Sequence, residues 1–221
     1  EATLTGGTFK DLPGHVQFRG VGANPTATAI IENTHWTGGG SQGESALELY
    51  ALESVSISGG SMTQFVAAPM DKPVLGVNAF DIGSVAISDM NIDLGNGSGG
   101  ALTGGIGVNL YGAIGSVSLT GVEISNAGQA GLMIAPASLG YPANIPSVTV
   151  DAASSLIGNG TAPIPFAGLP HGDVVVLNNA VVTLKINPVD MVERIQMLMA
   201  AAVAAKGGAH DAGSQEEEGP V

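Results

Sequence analysis

Cysteine is absent from the 221 residues, which excludes disulfides, thiolate nucleophiles and cysteine-held metal centres. Positive charge is almost as scarce: six Lys and Arg stand against nineteen Asp and Glu, a net charge of −13. So acidic a chain repels a phosphate backbone, which excludes nucleic acid as a partner and disfavours an anionic membrane surface. Aromatic residues make up 4% and charged residues 11%, against about a quarter charged in an ordinary globular domain. Long apolar runs are missing too. The longest, residues 197–205, falls well short of the roughly 20 residues a spanning helix needs, so no transmembrane segment is expected. The opening residue is Glu1, which reads as a processed product or an excised fragment.

What the chain has instead is 34 Gly, many small polar residues and many aliphatics, and these recur in a pattern. The phrase "ATLTGGTF" (2–9) returns as "VSISGGSM" (55–62), and the same frame finds "AIIENTHW" (29–36), "VAISDMNI" (85–92) and "VSLTGVEI" (117–124). Looser copies are "VTVDAASS" (148–155) and "VTLKIN" (182–187), so successive starts lie 27, 26, 30, 32, 31 and 34 residues apart. One column reads Ala2, Ala29, Val55, Val85, Val117, Val148, Val182, and another reads Leu4, Ile31, Ile57, Ile87, Leu119, Val150, Leu184. The columns between them are mostly polar, with Ile30 and Ala86 as exceptions. That alternation marks a strand with one buried face.

The next column holds Gly6, Asn33, Gly59, Asp89 and Gly121, the residue types that enter the left-handed backbone region most easily. These five are read as structural bends, with Gly59 rather than its neighbour Gly60 carrying the turn in the third copy. Ala152 departs from the column in the sixth copy. A third strand precedes most copies: "HVQF" (15–18), "ALEL" (46–49), "VLGV" (74–77), "GIGV" (105–108), "AGLMI" (130–134) and "DVVV" (173–176). Each repeat thus holds three short strands and one tight bend, and strands one repeat apart must pair in parallel. The fold class that follows is all-β, a right-handed parallel β-helix or solenoid over residues 1–187. About seven coils at roughly 4.8 Å each give a rod of about 34 Å. A β-sandwich would place strands every 8–12 residues without columns matched across repeats.

Residues 188–206 predict a C-terminal α-helix. Asn187 is the N-cap, Pro188 takes the first position, and Lys206 precedes Gly207-Gly208 at the end. It reads as a cap over the last coil, or as an association helix, and residues 207–221 as a flexible acidic tail. "NGS" at Asn96 and "NGT" at Asn159 match a glycosylation acceptor, but Asn-Gly is also a turn dipeptide, and the turn is the preferred reading.

The coil pattern resembles the pectin-lyase-like β-helix superfamily, in style closest to pertactin-like autotransporter passenger domains or phage tailspike-type β-helices. The resemblance covers residues 2–187 and implies either a surface module or an enzyme acting on polysaccharides. Hydrolysis would need two carboxylates flanking a groove, and no such pair stands out, so no catalytic residue is assigned. The outward positions of the third strand are expected at Gln17, Glu48, Gly76, Gly107, Met133 and Val175, a column without acid clusters or Arg. His35 near Glu32, together with Tyr50, is the candidate carbohydrate-binding group, although a solvated strand face also accounts for His35. Asp81, Asp89 and Asp93 are the candidate ligands for calcium. Asn78 and Asn109, recurring in "GVNAF" and "GVNLY", read as a stacked amide ladder.

The expected function is a non-catalytic rigid stalk, adhesive or attachment module, either extracellular, on a cell surface or on a virion. Its partner would be a surface glycan or host-surface receptor. In the phage version the chain would be a homotrimer, with the 188–206 helix buried between chains. The alternative is a polysaccharide lyase or hydrolase with a loop or inter-subunit site. Ice binding by the Thr3/Thr5 to Thr183 face is a third reading, interrupted by Ile30, Glu32, Asp151 and Lys185.

Overall fold

The computed structural model describes residues 1–12, 14–20, 26–38, 45–65, 74–95, 105–134, 145, 147–161, 171–177 and 181–184. The expected helix at 188–206, the tail at 207–221, Asn96 and most of the inter-strand loops lie outside these residues. The strands are β1 (Ala2–Thr5), β2 (Thr8–Lys10), β3 (Val16–Arg19), β4 (Thr28–Thr37), β5 (Ser45–Thr63), β6 (Val74–Ser88) and β7 (Asn91–Asp93). They continue as β8 (Gly105–Thr120), β9 (Glu123–Ser125), β10 (Ala130–Ile134), β11 (Ser147–Val150), β12 (Gly172–Val176) and β13 (Val181–Leu184). All pair in parallel. The result is an all-β parallel solenoid of about four turns through its centre, between residues 28 and 134, with further rungs at each end. Among the described residues there is no helix.

Three faces make one turn. On the first face β1, β4, β5, β6, β8, β11 and β13 stack in the register the repeat requires: Ala2 on Ala29, Val55, Val85, Val117, Val148 and Val182. The expected count of seven coils is finer than this and rests in part on residues outside the described ones. The second face stacks Phe9, Trp36, Met62, Ile92 and Ile124. The third stacks Val16, Leu47, Val77, Val108, Leu132 and Val174. These inward columns converge on one apolar core, and each large side chain buried there contributes roughly 1.5–3 kcal/mol.

The expected bend column forms the corner between the first and second faces. Gly6, Asn33, Gly59, Asp89 and Gly121 all have positive φ, from 48° to 70°. The sixth rung replaces this geometry with a side-chain cap: Asp151 Oδ1 accepts from Gly121 N–H, Ser154 N–H and the Ser154 hydroxyl. A single bend per repeat is too few, however. Asp11, Gly38, Gln64 and Asn126 are also left-handed, between the second and third faces. Ala51, Asp81 and Gly112 are left-handed where the third face returns to the first.

The assignment of the turn to Gly59 alone also needs correction. Gly60 has φ +92°, and a Cβ there would run into the Thr34 carbonyl and lie 2.8 Å from Thr34 N. Where that column is not glycine its residues, Thr34, Met90 and Val122, are buried. The chain therefore turns over two residues, and the second one points inward.

Candidate functional site

The outward side of the third face carries the densest grouping of recognition chemistry. Register on this face follows from the pairs Glu48–Asn78, Asn78–Asn109 and Asn109–Met133. The outward column is therefore Gln17, Glu48, Asn78, Asn109, Met133, Val175, not the one containing Gly76 and Gly107. The sequence alignment was two residues out in those two coils. Gly76 and Gly107 instead face the interior: a Cβ at Gly76 would lie 3.1 Å from Ile92 Cγ2, and one at Gly107 would collide with Ile124 Cγ2.

The corrected column still has no acid cluster or Arg, but its first four residues are polar and hydrogen-bonded in pairs. Gln17 Nε2 donates to Glu48 Oε2 at 2.9 Å, and His15 Nε2 lies 3.0 Å from the same oxygen. Asn109 Nδ2 donates to Asn78 Oδ1 at 2.9 Å, which is the expected amide ladder. Towards later coils the column turns apolar. Met133 and Val175 join Ile106 and Ala130 in a second apolar cluster, separate from the core.

Two residues along each strand runs a second outward row, Arg19, Tyr50, Phe80, Tyr111. The Arg19 guanidinium sits 4.9 Å from the Tyr50 ring centroid. Tyr50 and Phe80 stack at 4.8 Å, and Phe80 and Tyr111 at 4.5 Å. Rung spacing, about 4.8 Å, is what brings planar groups in one column into stacking distance. Ring faces are used against one another and Phe80 is buried, so what this row presents outward is chiefly the Arg19 guanidinium and the half-buried Tyr50. The signal was in the sequence: "ELY", "NAF" and "NLY" place an aromatic two residues after each polar position.

The other expected site residues are dispersed. Glu32 ends the first-face strand and accepts from Thr5 Oγ1 at 3.3 Å. His35, past the Asn33 corner on the second face, has Nδ1 2.9 Å from Ser61 Oγ. Tyr50 belongs to the third face, so Glu32, His35 and Tyr50 occupy three faces. Asp81, Asp89 and Asp93 are similarly spread over the corners of one coil. Asp81 Oδ1 accepts from Ala113 N–H at 2.7 Å, and Asp93 Oδ1 accepts from Gly95 N–H and Asn126 Nδ2, both at 2.8 Å. Asp89 takes the bend conformation, φ 52°. Among the described residues no three His, Asp or Glu side chains group as metal ligands.

Asn159 is 6% exposed. Its Nδ2 donates to the carbonyls of Ile124 and Leu156 and its Oδ1 accepts from Ala127 N–H. The turn reading is the right one there, since a glycan needs that nitrogen free. Asp151 has its carboxyl held below the usual carboxylate range, chiefly by the Ser154 hydroxyl, opposed by burial and assisted by backbone N–H groups including Gly121 and Ser154. Among the described residues no helix is long and apolar enough to cross a membrane. No protein family, no curated protein and no solved structure matches this chain.

Proposed function

We propose that the protein is a rigid attachment module of the extracellular or virion surface, and that its ligand is a surface glycan bound along the third face. The observation that carries this reading is the pair of outward rows, Gln17–Glu48–Asn78–Asn109 beside Arg19–Tyr50–Phe80–Tyr111. The polar row gives one amide or carboxylate per rung, at about 4.8 Å, with the Arg19 guanidinium and Tyr50 beside it on the first two rungs, while Asn78 and Phe80 are buried. An extended oligosaccharide would find its accessible donors and acceptors chiefly on the first two rungs, at the exposed Gln17 and Arg19 and the half-buried Glu48 and Tyr50. Hydrogen bonds to charged groups such as Arg19 and Glu48 are the stronger ones. The solenoid supplies rigidity, so little ordering entropy opposes binding. In finer detail the module is a right-handed helix of seven coils, closed by the 188–206 helix as cap or, in a trimer, as the contact between chains. Its style is that of passenger-domain and tailspike β-helices.

The test is binding to an array of neutral and acidic oligosaccharides, followed by titration of the retained ones. Arg19→Ala and Gln17→Ala, both at exposed positions, should each weaken binding about tenfold, or about 1.4 kcal/mol. Ser118→Ala, exposed on the first face, should leave it unchanged. If the third-face variants bind like the parent, or nothing on the array is retained, the reading falls. Release of shortened products from the same oligosaccharides would replace it with a polysaccharide-active enzyme.

A further inference from the structure

Trp36 is 2% exposed, and its indole Nε1–H has no acceptor among the described residues. Buried donors without partners are rare, because each forfeits its hydration. Next to the indole is a small cleft of about 10 Å³, lined by Phe9, Leu12, Trp36, Ser45, Ala46 and Phe65 among others. A volume near 10–15 Å³ corresponds to about one water molecule, provided polar groups meet it. Ser45 is 8% exposed and brings a hydroxyl, donor and acceptor both, to the same walls. All the other side chains named there are apolar.

We infer that this cleft is a binding site for a single water molecule, which accepts from Trp36 Nε1–H and bridges to Ser45 Oγ. The volume matches one water molecule, and among the lining side chains only the indole N–H and the Ser45 hydroxyl are polar, so nothing there balances an ion's charge. The site is placed to matter. Phe9 and Leu12 belong to the first coil, Trp36, Ser45 and Ala46 to the second, and Phe65 follows the second-face strand of the third. The bridging water satisfies the one polar atom that the second-face column of large apolar side chains carries inward, and so holds the first coil against the next two.

Trp36 is the single tryptophan of the chain, so its signals report this site alone. A crystal structure at a resolution that shows solvent should place one density peak within hydrogen-bond reach of both Trp36 Nε1 and Ser45 Oγ. Ser45→Val fills the cleft with a methyl group and should displace the water, shifting Trp36 fluorescence to shorter wavelength. The inference is overturned by a direct Trp36–Ser45 hydrogen bond in the crystal, by no peak between them, or by Ser45→Val emission identical to the parent.

Discussion

At the scale of single residues the corners decide stability. Gly59 and Gly60 are adjacent and both left-handed, yet they are constrained differently. A Cβ at Gly59 would lie 2.5 Å from Asn33 Oδ1, the end of a side chain that can rotate away, whereas at Gly60 it meets Thr34 backbone. Gly59→Ala should therefore cost about 1 kcal/mol, the ordinary left-handed penalty. Gly60→Ala should cost about 2–3 kcal/mol, as backbone strain does when nothing can move. Urea denaturation of the two variants checks the order, the reverse of what the bend column alone suggests. The five-residue column could be read from sequence because Gly, Asn and Asp advertise the left-handed region. Ala51 and Gln64, equally left-handed at φ 51° and 60°, carry no such advertisement, and the two other corner columns passed unseen.

A second residue-scale expectation concerns acid. Asp151 has a lowered carboxyl pKa, with the Ser154 hydroxyl as first cause. A lowered folded value means the unfolded chain takes up the proton more readily. The contribution of Asp151 is then fully present above the unfolded value of about 3.9 and fades as pH falls through the folded value beneath it. Melting temperatures followed from pH 5 downward should drop for the parent below about pH 4. Asp151→Asn should start lower and show a shallower drop over that interval; parallel curves would remove Asp151 from the account.

At the scale of elements the three faces were legible to different degrees. The first was read most fully: its fourteen apolar residues sit in strict alternation and all occur at the paired positions foreseen. Only Ala2 and Leu184, at the two ends of the stack, are exposed instead of facing the core. The third was placed but mis-registered by two residues in β6 and β8. Its strands break alternation, with Gly76 and Val77 both buried, as are Gly107 and Val108. A period of two cannot express two consecutive inward positions, and a slip of two keeps every remaining side chain on its proper side. The Asn78–Asn109 ladder was legible all the same, but its continuity with Gln17 and Glu48, and the aromatic row beside it, emerged only once hydrogen-bonded pairing fixed the register. Glu32, His35 and Tyr50 lie on three faces for a related reason: proximity in sequence says nothing about which side of a corner a residue takes.

At the scale of the whole solenoid, each rung touches only its neighbours, so stability is distributed unevenly along the stack. Leu4, Phe9, Val16 and Phe18 of the first coil are half-buried, while their successors Ile31, Trp36, Leu47 and Leu49 are at most 2% exposed. Hydrogen exchange should show amides in β1, β2 and β3 opening well before those in β5, β6 and β8; uniform protection would mean the first coil is covered by something beyond its own rung. The same parallel pairing has a mechanical consequence. Its hydrogen bonds lie along the direction in which coils stack, so a load pulling the first coil away from the rest bears on one rung at a time. The protein should yield as a zipper, coil after coil at modest force, and not as a single brittle block.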